Sequence, residues 1–444
     1  MRKSVVRHAK KYLHRPHFHE RPENSEASNS SRILVDRKKE NRTPLAIEIL
    51  DRLDSVDPQL ESPLFAKLPR EVRELIWGFA LTRYEDLDNL YRIDERYTRP
   101  GQAAPLRVNV GLLHTCRAVY IEAFLTPFQV NPIVAYDGNH KDIPPANVLT
   151  HSVEDMLFCR KLKYWQLANI SSVEITVQQI NLESAALERL SRLVGTLRRH
   201  HGHECKGYTP AGYADFEPSK TRKVSTVSSQ NPLVGRKITH LSVRMARTDW
   251  WSWESAPEYC ATNPSDRLRI EPAINVTNLA AQPENSLAMT RGYEARLSGK
   301  EPDFDLEGFE KLGRWGFQIQ EYWPDLTKLD LVLETFACKQ NQLDYVIKCA
   351  KLWKFPVEQG YHLVWNGKDE VTRWLGAHSY QYEMGRSWFK EQNRARKDDN
   401  PDLPPKLKWR PAGAYDGDPA DAQEFIIRTL TFERKRDEDR PRSA

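Results

Sequence analysis

The sequence predicts an α/β (or α+β) chain, with an N-terminal helical module followed by a mixed, mostly parallel sheet backed by helices. Three observations predict it. One spacing of apolar residues occurs three times: Ile170, Val173, Ile175, Val177; then Ile238, Leu241, Val243, Met245; then Leu326, Leu329, Leu331, Leu333. Each set reads as a bend leading into a strand with alternating faces. Helical periodicity lies between them, over residues 182–197, 306–322 and 340–354. Strands and helices in alternation imply a parallel sheet covered by helices. Two further helical stripes precede residue 150, where the strand pattern is missing.

The elements follow in order. Residues 1–45 are polar, poor in aromatics and rich in basic side chains, and are expected to be a disordered basic tail. Packing signals begin near Ile47 and strengthen at Ser62. From there Leu64, Phe65, Leu68, Val72, Leu75, Ile76, Phe79 and Ala80 fall on one helical face. Pro69 suits the first turn, where its missing N–H has no partner to lose, and Glu71 lies near the positive helix end. A polar interval over 84–102 leads to a second stripe, Leu112, Leu113, Cys116, Val119, Tyr120 and Ala123, which Pro127 is expected to end. Residues 62–137 thus form the helical module and 150–435 the α/β domain. Further strands are expected at 361–365 and 425–432, with flexible insertions at 202–235 and 392–422. The strand spacing resembles a degenerate leucine-rich repeat, although separations of 68 and 88 residues are too long for a regular solenoid.

Composition excludes several classes. The 444 residues are 39% hydrophobic and 10% aromatic, with 12 Trp, enough bulk for a sizeable core. No run approaches the length of apolar sequence that a membrane span needs. The formal charge is +5, but residues 1–42 carry +7 and residues 191–247 carry +8, so the remainder carries −10. The globular body is therefore mildly acidic, and the cationic segments attract nucleic acid or acidic partners without much specificity. The first nineteen residues contain no acid, as in a mitochondrial presequence, but Pro16 and the His14, His17, His19 cluster favour a solvated basic tail or nuclear-import patch. Six cysteines with no C-x-x-C pair read as reduced, mostly buried thiols, which implies a cytoplasmic or nuclear protein.

No phosphate-cradling loop, nucleophile elbow, H-E-x-x-H or kinase signature is present, so neither an enzyme nor a cofactor is expected. His200, His201, His203 and Cys205 have zinc-binding side chains but lack a second ligand pair, and no metal is expected. Lys220, Arg222, Lys223, Arg236 and Lys237 could meet phosphates, without the aromatic interleaving of an RNA-recognition surface. Trp250, Trp251 and Trp253 within four residues are either rim packing or an aromatic platform for a ligand.

The two N-terminal stripes carry one more signal. Leu68, Pro69, Glu71, Val72, Arg73, Ile76 and Trp77 match L-P-x-E-[IVL]-R-x-x-I-[WY], and Leu112, Leu113, Cys116, Arg117, Tyr120, Glu122 and Ala123 match L-L-x-x-C-R-x-x-Y-x-E-A. This pair resembles a large fungal F-box-like family, over about 75 of the 444 residues. The resemblance implies a helical module docking on a Skp-type adaptor of a cullin–RING ubiquitin ligase, with the C-terminal domain capturing a protein substrate. Leu68, Pro69, Val72, Ile76 and Trp77 would dock. About 30 residues separate Thr82 from Leu112, longer than a compact F-box requires. Two alternatives stand beside it. In one, the Leu-Pro-x-Glu run only opens a core helix, with Arg73 and Glu122 in an internal ion pair. In the other, the chain is a nuclear protein binding nucleic acid through its basic segments.

Overall fold

The computed structural model describes residues 45–89, 104–137, 150–152, 165–192, 237–253, 260, 267–273, 282–302, 314–377 and 422–436, apart from 51, 53, 55, 105, 167, 168, 248 and 359. The basic tail up to residue 44, the insertion at 202–235, and the insertion at 392–422 up to residue 421 lie outside these residues. Two of the expected helical stretches do so in part, at 193–197 and 306–313, whereas 340–354 is described throughout.

The N-terminal part is helical. Short helices α1 (Leu45–Leu50) and α2 (Pro63–Ala66) precede α3 (Arg70–Ala80). The single stripe read from 64 to 80 is thus broken in two. The break falls at residues 67–69, where Pro69 takes the N-cap position with an extended ψ of 157° and Glu71 occupies the first turn of α3. A two-residue antiparallel pair, β1 (Tyr84–Glu85) with β2 (Leu106–Arg107), closes the polar interval. The second stripe is also divided. Val110–His114 winds as a 3-10 turn, started by the Asn109 side chain accepting from the Gly111 N–H. Cys116 then caps α4 (Arg117–Ala123). Pro127 does not end that helix but stands in the first turn of the next one, α5 (Thr126–Val130). The reason is that a proline in a first turn gives up no hydrogen bond.

The main sheet holds eight strands in the order β4-β3-β5-β6-β7-β10-β9-β8. Its first five in that order are β4 (Thr150–Ser152), β3 (Ile133–Asp137), β5 (Ser172–Val177), β6 (His240–Met245) and β7 (Lys328–Phe336), all parallel. Then come β10 (Ala422–Arg436), β9 (Tyr361–Ala377) and β8 (Lys354–Pro356), joined antiparallel. The sheet is therefore mixed, with its parallel part confined to one half. A long antiparallel ribbon, which needs no crossover helix, makes up most of the other half.

The repeated apolar spacing fixes the register. Ser172 lies opposite His240 and His240 opposite Lys328, which is how the three segments align when their apolar positions are superposed. Val173, Ile175, Val177, Leu241, Val243, Met245, Leu329, Leu331 and Leu333 consequently share one face and one core. Ile426, Leu430 and Phe432 of β10 extend it. Helix α6 (Gln179–Leu182), helical residues 186–192, α7 (Gln282–Leu297), α8 (Trp315–Tyr322) and α9 (Gln340–Ala350) cover that face. In α9, Leu343, Val346, Ile347 and Ala350 recur at three- and four-residue spacing and are buried. Burial of side chains of this size contributes roughly 2 kcal/mol each. The opposite face carries Ser172, Glu174, His240, Ser242, Arg244 and Asp330 at the alternate positions, as the period-two pleat dictates.

Candidate docking surface and polar cleft

The two matched motifs meet in space. Arg73 on α3 donates from Nε to Glu122 Oε2 at 3.0 Å and from Nη2 to Oε1 at 2.6 Å, so the guanidinium grips the carboxylate at two points. Arg73 also donates to the Leu68 carbonyl at 2.7 Å, fixing the chain at the break before α3. Trp77 Nε1 donates to Glu122 Oε2 at 3.2 Å. The Arg73 guanidinium lies over the Phe65 ring, 5.1 Å from its centroid. Around this polar knot Trp77, Leu81, Val119 and Ala123 form a small buried cluster, with Leu64, Phe65, Ile76, Leu112, Leu113 and Cys116 packed on it. Tyr120 turns the other way and stacks on Phe124 at 5.8 Å. Arg117 lies on the exposed side of α4. The internal ion pair of the structural alternative is present.

The five expected docking residues part company. Trp77 is 1% exposed, and Leu68 and Ile76 are half-buried. Pro69 and Val72 are exposed, Val72 at 39%. Two residues read as part of the helical stripe, Leu75 and Phe79, are the most exposed apolar side chains of α3, at 64% and 85%. Val72, Leu75 and Phe79 recur at spacings of three and four, so they form one outward stripe along the helix. Arg73 and Trp77, also four apart, form the inward one. Periodicity finds both stripes; the anchor that decides which points inward is Glu122, 45 residues beyond Trp77.

The three tryptophans also separate. Trp250 is buried and its Nε1 donates to the Glu334 carbonyl at 2.8 Å. Trp253 is half-buried against the core. Trp251 is exposed, with its Nε1 donating to Glu183 Oε2 at 3.2 Å and its backbone N–H to Gln179 Oε1 at 3.1 Å. Burial pushes the Glu183 carboxyl up to about 7, against the hydrogen bonds that Gln179 and Trp251 donate to it.

A cleft of about 890 Å³ opens on the polar sheet face, which sequence reading missed. Residues 82–85, 129, 130 and 132 line it together with the sheet. They are tied down by three contacts. Arg83 Nη2 donates to Glu174 Oε2 at 3.1 Å, Ser171 Oγ donates to the Gln129 carbonyl at 2.9 Å, and the Arg83 N–H donates to Asn131 Oδ1 at 2.6 Å. Arg244 pairs with the other Glu174 oxygen at 3.2 Å. Beside them, Ser172 Oγ lies 3.1 Å from His240 Nδ1, and His240 Nε2 lies 2.7 Å from Asp330 Oδ2. Thr431 Oγ1 donates to Asp330 Oδ1 at 2.7 Å, and Lys328 Nζ stands 2.9 Å from Oδ2. Burial raises the Asp330 carboxyl, but the hydrogen bonds from His240, Thr431 and Lys328 outweigh it and hold the group down at about 2.

Among the described residues no group of three or more His, Cys, Asp or Glu side chains is placed to hold a metal ion. The cluster of His200, His201, His203 and Cys205 lies outside the described residues, as do Lys220, Arg222, Lys223 and Arg236. Cys260 and Cys349 are buried thiols, Cys116 is half-buried and Cys338 exposed. Among the described residues no helix is long and apolar enough to cross a membrane. No family model, curated protein or solved structure matches this chain.

Proposed function

We propose that this chain is a protein-interaction subunit, docking through α3 on a Skp-type adaptor of a cullin–RING ubiquitin ligase while its sheet domain engages a protein substrate. The observation that carries this reading is the division of α3 into two faces. Arg73 and Trp77 hold one face against Glu122, while Val72, Leu75 and Phe79 stand in water on the other. An exposed apolar row on a helix whose back is fixed fits a helical partner, because little ordering entropy remains to be lost on binding. Covering Leu75 and Phe79 contributes roughly 1–2 kcal/mol each, and Val72, already more than half covered, less. Leu68 and Pro69 stand at the start of the same helix and extend the row. The cleft on the polar face of the sheet is the surface assigned to a substrate.

The test is co-purification of the full chain with a Skp-type adaptor, with and without Leu68→Ala plus Pro69→Ala. Recovery of the adaptor with the parent chain and its loss from the double variant support the reading. Absence of the adaptor, or equal recovery with the variant, removes ubiquitin-ligase recruitment. The nucleic-acid alternative draws on residues 1–42 and on the insertion, which lie outside the described residues.

A further inference from the structure

We propose that Ser172, His240 and Asp330 form a nucleophile, base and orienting carboxylate on the polar sheet face, giving the chain a carboxylic-ester hydrolase activity independent of adaptor docking. The three residues come from adjacent parallel strands. Ser172 and His240 are direct cross-strand partners, and Asp330 is the partner of Ser242, two residues beyond His240. The pleat places all three on one face of the sheet, and they line one cleft.

We assign His240 the tautomer protonated at Nε2. Asp330 already accepts from Thr431 and, across 2.7 Å, accepts from that Nε2–H. Nδ1 is then left as an acceptor, and the group 3.1 Å from it is the Ser172 hydroxyl. A hydroxyl donating to an imidazole that a carboxylate holds in the correct tautomer is the arrangement that activates a serine. The two ring nitrogens have exchanged their usual roles, which leaves the proton chemistry intact. A core-packing function does not require it, since the side chains face a cleft of about 890 Å³, large enough for an organic ester.

The steps balance. Ser172 Oγ forms a bond to the ester carbonyl carbon as its proton passes to His240 Nδ1, and the carbonyl π pair moves to oxygen. Arg83 and Arg244 line the same cleft, where both pair with Glu174. Collapse breaks the carbon–alkoxy bond, and the alkoxide leaves with the Nδ1 proton as an alcohol. Water then gives a proton to Nδ1 and attacks the acyl-serine, and the carboxylic acid departs as Ser172 regains its proton. Ester and water become acid and alcohol.

The full chain is incubated with a fluorophosphonate probe, the adduct is mapped by mass spectrometry, and turnover of p-nitrophenyl acetate is followed. The expected result is an adduct on Ser172, absent from Ser172→Ala and retained in Ser298→Ala, with turnover falling at least about 100-fold in His240→Ala. Ser172→Cys keeps the side-chain size in case the alanine variant does not fold. Its thiol should react with iodoacetamide at a rate that drops when His240 is also replaced. No adduct on the folded chain, an adduct on another serine, or a cysteine reactivity indifferent to His240 would each overturn the proposal.

Discussion

Arg73 and Glu122, 49 residues apart in the chain, close a two-point ion pair at 2.6 and 3.0 Å that joins the two halves of the N-terminal motif. Trp77 shares the same carboxylate. One acidic side chain on α4 therefore sets the rotation of α3 about its axis, and with it the direction in which Val72, Leu75 and Phe79 face.

Removing that carboxylate is expected to be costly. Glu122→Ala leaves the mostly buried Arg73 guanidinium and the Trp77 N–H without their shared acceptor, and stability should fall by about 2–3 kcal/mol. Urea unfolding measures it. A loss under about 0.5 kcal/mol would show that the pair does not orient the helix.

The two faces of α3 should respond oppositely to truncation. Trp77→Ala empties a buried site and should cost about 3–5 kcal/mol. Phe79→Ala, at a position in water, should change stability by less than about 0.5 kcal/mol. Thermal melting of the two variants side by side checks the contrast, and equal losses would contradict the assignment of faces.

Much of the sheet was legible in the sequence because its core positions repeat one spacing, and superposing those positions already places Ser172 beside His240. The antiparallel ribbon was legible only as two short strands, at 361–365 and 425–432. β9 and β10 run to 17 and 15 residues, and outer residues such as Asp369 and Glu370 blur the apolar alternation. The cleft was not legible. Ser172, His240 and Asp330 occupy the polar positions between apolar ones, which read as a solvated face, and 68 and 90 residues separate them. Leu75 and Phe79 were visible as a helical stripe, but a stripe reveals a face and not what covers it.

Stability should depend on pH through Glu183. Burial raises its carboxyl to about 7 in the folded chain, against an ordinary value of 4.5. Folding thus favours the protonated form, so this contribution is fully present below about pH 4.5 and is lost as pH rises through 7. Glu183→Gln cannot ionise. The stability of the parent chain relative to this variant should therefore fall by about 3 kcal/mol between pH 4.5 and pH 8. Urea midpoints at the two pH values measure it, and a constant difference would rule out a neutral buried Glu183.

Trp250 and Trp251 should be distinguishable by quenching. Trp251→Phe should remove most of the acrylamide-accessible emission from this pair, while Trp250→Phe should leave accessibility unchanged and lose the hydrogen bond to the Glu334 carbonyl. Stern–Volmer slopes on the two variants give the answer. A steeper loss with Trp250→Phe would contradict the placement of these rings.

The outward stripe of α3 is tested most directly by titrating the purified full chain into a purified Skp-type adaptor by calorimetry, alongside Phe79→Asp. Saturable binding by the parent chain, weakened at least about 100-fold by Phe79→Asp with an unchanged melting temperature, is the predicted result. No heat of binding from the parent chain, or the same affinity in the variant, would contradict docking through this face.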